Sequence, residues 1–119
     1  MTDPTAVAAR AAAVILAPDL GPDLSAEVEI ALAARGAQQR PGRYLDPVSL
    51  AGLIVAIATL AWTIYNDQRG RNAEPPSATT IAREIRITLR EQDIDLPPGG
   101  ERITEVVATE ITRQESPPR

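Results

Sequence analysis

Asp93 and Asp95 stand one residue apart in the stretch DIDLPPGG, the nearest this chain comes to a constellation of catalytic or metal-ligating type. Two carboxylates in a turn offer oxygen ligands to a hard cation, but such a site needs several more oxygens at regular spacing, and none follow here. Solvated turn residues account for both. Gly99 and Gly100 come directly after Pro97 and Pro98, and a phosphate-cradling loop would also need a lysine, which the chain lacks. The serine and threonine hydroxyls have no His, Lys or Cys beside them to serve as base or alternative nucleophile, because the chain contains none of the three. Metal centres built on soft or imidazole ligands are excluded on the same ground. The chain is expected to be no enzyme, to hold no cofactor and to carry no metal.

Binding chemistry is narrowed in the same way. With 12 basic and 16 acidic residues the formal net charge is −4, which disfavours a nucleic-acid groove, since that needs a clustered basic surface. Phe is absent and aromatics make up 3% of the 119 residues, so a core filled by large rings is not expected.

What remains is apolar association, concentrated in one place. Residues 48–65 read VSLAGLIVAIATLAWTIY without a charge. As a helix this run would be roughly 27 Å long, close to the ~30 Å hydrocarbon core of a bilayer. The run predicts a single membrane-spanning helix. Within it Ser49, Gly52, Ala56, Thr59 and Thr63 recur at intervals of 3, 4, 3 and 4, which gathers them into an arc of roughly 80°. Small residues permit close backbone approach in lipid, so this face predicts association with a second copy or with a membrane protein partner. Chance scatter of small residues is the competing explanation. Tyr44 before the run, and Trp62 and Tyr65 near its end, fit the headgroup level favoured by aromatic rings.

The flanking elements must position this helix. Residues 1–43 are expected to hold two short helices, the first over 4–17 and the second starting near Asp23 or Ser25 and ending at Gly36, with a break at APDLGPDL between them. Residues 44–67 form the membrane helix and its flanks, 68–78 a linker, 79–114 a C-terminal helical hairpin and 115–119 a frayed tail. In the first arm of that hairpin Ile81, Ile85 and Leu89 recur every four residues, with Arg83, Arg86 and Arg90 opposite. A strand over 83–90 competes, because Ile85, Ile87 and Leu89 also alternate with polar residues. In the second arm Ile103, Val107 and Ile111 form the matching stripe. The two stripes predict packing on each other or on a partner, and the arginines predict a solvated face or contact with anionic lipid or an acidic partner.

The block YLDPVSLAGLIVAIATLAWTIYND, followed by IAREIRITLRE and LPPGGERITEVVATEITR, resembles a group of small actinobacterial single-pass membrane proteins of unassigned function. The resemblance covers residues 44–114 and rests on the segment ending Trp-Thr-Ile-Tyr and the Arg-rich helical tail. It implies an accessory role at the membrane, in signalling or conflict systems, and it brings no catalytic residues.

The expectation is therefore an all-α, non-catalytic, membrane-anchored adaptor or signalling subunit acting through helix–helix association. Its first rival is a soluble helical interaction protein with residues 48–65 as core helix. Its second is a small membrane-active effector. No basic residue precedes Arg10, so the N-terminus is not expected to be a signal peptide, and the internal run would both target and anchor the chain to the cell membrane. Arginines flank the run equally, and a cytoplasmic C-terminus is preferred on the size of that segment alone.

Overall fold

The computed structural model describes residues 3–38, 50–71 and 75–115, with side chains described for 3–34, 50–71 and 75–114. They form five helices: α1 (Pro4–Leu20), α2 (Leu24–Gln38), α3 (Leu50–Arg71), α4 (Ala78–Glu91) and α5 (Gly100–Glu115). No strand occurs among the described residues, whose regular structure is all-helical, and the ambiguity over 83–90 resolves as helix.

Local chemistry explains most of the boundaries. Asp3 caps α1, its carboxylate accepting from Thr5 N at 3.0 Å, and Pro4 sits in the first turn where its missing N–H costs nothing. The helix continues beyond residue 17 through Pro18, which lies on an exposed side where water can take up the freed carbonyl. Gly21 ends α1 at φ 133°, donating its N–H to Ala17 O at 2.9 Å. Helix α2 runs past Gly36, since an internal glycine weakens a helix without terminating it.

At the start of α4 the Ser77 hydroxyl accepts from Thr80 N at 3.2 Å. At its end Asp93 adopts φ 57°, Ile94 N donates to Leu89 O at 2.9 Å, and Asp93 N donates to Arg90 O at 3.1 Å. This is a Schellman closure with Asp where Gly is usual, and the Ile94–Leu89 spacing provides its customary apolar pair. Asp93→Gly is expected to raise stability by about 0.5–1 kcal/mol, because glycine meets no Cβ penalty in that conformation. Urea denaturation of both proteins checks this.

Packing is organised around α3. It touches each of the other four helices, α1 also packs on α2 and α5, and α4 packs on α5. The face that α1 turns inward is made of Ala8, Ala9, Ala12, Ala13 and Leu16, all fully buried. Small side chains at the contact let helix axes approach closely, toward the short end of the usual 8–10 Å separation. Leu24 and Val28 of α2, Ile81, Ile85 and Leu89 of α4, and Ile103, Val107 and Ile111 of α5 complete one continuous core. The radius of gyration is 13.4 Å. A globular chain of this length is expected near ~13.5 Å.

Ion pairs lie at the rim. Arg86 Nε reaches Glu101 at 2.7 Å and its Nη2 reaches Glu105 at 3.5 Å, tying α4 to α5, while Arg102 meets Asp19 at 3.3 Å between α5 and α1. Exposed pairs of this kind contribute about 0–1 kcal/mol each. They set register more than stability.

Candidate functional site: the long apolar helix and its surroundings

Helix α3 has 22 residues and is the one helix among those described that is long and apolar enough to cross a membrane. By the same test a core helix also qualifies, so its surroundings decide how it is read. Half of its apolar window lies inside the bundle. Leu53, Ile54, Val55, Ile57, Ala58 and Ala61 are buried, and the remaining bulky residues of the run, Leu50, Leu60, Trp62 and Ile64, are half-buried. No large apolar side chain of α3 is fully exposed.

The small-residue stripe opens only toward the C-terminal half of α3. Ala56 is buried, Gly52 and Thr59 are half-buried, and Thr63 is exposed, with Asn66 and Gly70 continuing the open edge. Ser49 lies outside the described residues. Thr59 donates its hydroxyl to Val55 O and Thr63 donates to Thr59 O, both at 2.9 Å. These hydroxyls are thus satisfied within their own helix.

The aromatic residues separate. Tyr44 lies outside the described residues. Tyr65 is fully enclosed in the core, and Trp62 is half-buried beside it, with ring centroids 6.1 Å apart and planes 12° from parallel.

The stripe residues Ile81, Ile85, Leu89, Ile103, Val107 and Ile111 are brought together, all buried. They share one core with α3 and α1, so α3 forms part of their cover. Arg83 and Arg90 are exposed, whereas Arg86 is taken up by Glu101 and Glu105. Ile87, which entered the competing strand pattern, stays 39% exposed on α4.

Two features were missed in the sequence. Val14 on α1 and Ile30 on α2 are about two-thirds exposed, at 67% and 70%, and Ile15, next to Val14 in α1, is exposed to a lesser degree. The signal was available for α1: Val14 falls opposite the alanine face, and Ile15 at its edge, once that face is recognised as the buried one. The second feature is an open groove of about 280 Å³ between α4 and α5, lined by Ala78, Thr79, Ala82, Arg86, Glu105 and Thr109.

Electrostatics between α1 and α2 centre on one exposed pair. Arg10 Nε and Nη2 donate to the two carboxylate oxygens of Glu29 at 2.6 and 3.2 Å. The hydrogen bonds from Arg10 hold the Glu29 carboxyl below the usual carboxylate range. Its folded pKa being the lower one, the pair's contribution is present above the ordinary carboxylate pKa and fades as pH falls through the depressed value. Among the described residues, no three acidic side chains cluster closely enough to hold a metal ion. Asp93 and Asp95 are both exposed, Asp93 at the helix closure described above.

Comparison with protein-family models, curated proteins and solved structures returned no match.

Proposed function

We propose that this chain is a non-catalytic helical interaction module in which α3 is the core helix and the partner-binding surface lies outside. The observation that carries this reading is mutual cover. Leu53, Ile54, Val55, Ile57 and Tyr65 of α3 are buried in a core shared with α1, α2, α4 and α5, and the stripes of α4 and α5 are in turn covered with the help of α3. Removing α3 to a bilayer would leave those stripes short of cover, at about 1.5–3 kcal/mol for each large side chain returned to water. The lack of His, Lys and Cys supports action by binding. Association with a second copy or another helical protein would use the surface apolar residues Val14, Ile15 and Ile30, or the open edge of α3 at Thr59 and Thr63.

Purification without detergent or lipid tests this reading. The chain is expected to remain in solution as a folded helical species, and a chain that enters solution only with detergent would overturn it.

A membrane-anchored adaptor is the second reading, favoured by the length and apolar character of α3. Under it α3 crosses the cell membrane once, the small-residue face seats a partner helix, and α4 with α5 forms a cytoplasmic hairpin. The resemblance of residues 44–114 to small actinobacterial membrane proteins belongs to this reading.

A further inference from the structure

We propose that the bundle is a water-stable packing of a membrane-inserting chain: on a zwitterionic lipid surface α3 leaves its place and crosses the bilayer, while α4 and α5 settle on that surface. This rests on the water-stable core proposed above and adds a second state to it. Three observations converge.

The first concerns α3 itself. Its 22 residues span about 33 Å at ~1.5 Å each, and the charges Asp67, Arg69 and Arg71 are confined to its C-terminal end. Within lipid each polar group must find its partner inside the segment. Thr59 and Thr63 already do so, through their bonds to Val55 O and Thr59 O. The helix carries those bonds with it.

The second concerns the cover. Helices α4 and α5 each have one apolar stripe and an outer face of charge, including Arg83 and Arg90 on α4 and Glu101 and Glu105 on α5. A helix of this kind can lie in the headgroup plane with its stripe toward the acyl chains. Lipid then replaces α3 as cover for Ile81, Ile85, Leu89, Ile103, Val107 and Ile111, which offsets the cost of exposing them. Residues 92–99, which include Pro97, Pro98 and Gly99, separate α4 from α5, so those two helices can settle as separate units.

The third is charge. The net charge of −4 opposes approach to an anionic surface, and Arg86, at the centre of the basic face of α4, is already paired. Neutral headgroups are the matching surface.

The chain's single Trp lies on α3, which makes the test direct. Full-length protein in lipid-free buffer is mixed with phosphatidylcholine vesicles containing acyl-brominated phosphatidylcholine, and Trp62 fluorescence is followed. Trypsin, which cuts at arginine, is then added outside, because arginines lie on both sides of α3. Insertion predicts quenching of Trp62, together with digestion of one flank and protection of the other until the vesicles are lysed. Thr59→Asp, near the middle of the run, is expected to lower partition into vesicles on the order of a hundredfold. Thr63→Asp, at a position exposed in the bundle, provides the comparison should Thr59→Asp lose its helical content in water.

No quenching overturns the proposal. Quenching with both flanks digested also overturns it, since that is surface adsorption. Either failure, with a discrete lipid-free species in hand, leaves the water-stable module standing. A chain that never exists without detergent or lipid overturns both.

Discussion

Truncating Tyr65 to Ala is expected to remove about 3–5 kcal/mol of folding stability, the range for deleting a large aromatic ring from a packed core. The ring is 1% exposed and is the largest fully buried side chain in the bundle. Small domains hold only about 5–15 kcal/mol in total, so the variant should sit close to its unfolding midpoint at room temperature. Urea denaturation followed by helical circular dichroism, in lipid-free buffer, measures the difference. A ring at the headgroup level of a membrane would instead be surrounded by lipid and water. A loss under about 1 kcal/mol would place Tyr65 outside a core.

The second large effect is at Ile57, in the middle of the uncharged run. Ile57→Ala is expected to cost about 2–5 kcal/mol, through lost transfer energy and the cavity left behind. Ile57 is 1% exposed in the bundle. On the lipid-facing side of a spanning helix the same truncation leaves no cavity, because acyl chains fill the space. Ile57→Leu, which conserves volume, should cost under about 1.5 kcal/mol. A similar small loss for both variants would contradict burial of Ile57 by protein.

The two substitutions also mark where reading the sequence ran short. The helices themselves were legible, because their signals are local. The break around Pro18 to Pro22 and the four-residue recurrence of Ile81, Ile85 and Leu89 each act within a turn or two, although the caps at Asp3 and Ser77 were not singled out. What covers an apolar helix is not local. Residues 48–65 meet the length and composition demanded by lipid, and those demanded by a core helix ringed by other helices, equally well. The ring was hard to see because one of its members is built on alanine. Ala8, Ala9, Ala12 and Ala13 form the buried face of α1, while the larger Val14 and Ile15 look outward, so side-chain size points to the wrong face.

The small-residue stripe shows a related limit. Its spacing was visible, but of its described members Ala56 is buried, Gly52 and Thr59 are half-buried and Thr63 alone is exposed. Spacing alone did not show that the Thr59 and Thr63 hydroxyls turn back onto their own helix. Pro18 misled for a simpler reason. A proline near the last turn on an exposed side removes one hydrogen bond and need not stop the helix where it stands.

The central claim is that protein, in water, encloses α3. Light scattering coupled to size exclusion, on full-length chain purified without detergent or lipid, tests it most directly. A single discrete species is expected, with the mass of one chain or an integral multiple of it. Material that enters solution only with detergent, or elutes as polydisperse aggregate without it, would contradict the account.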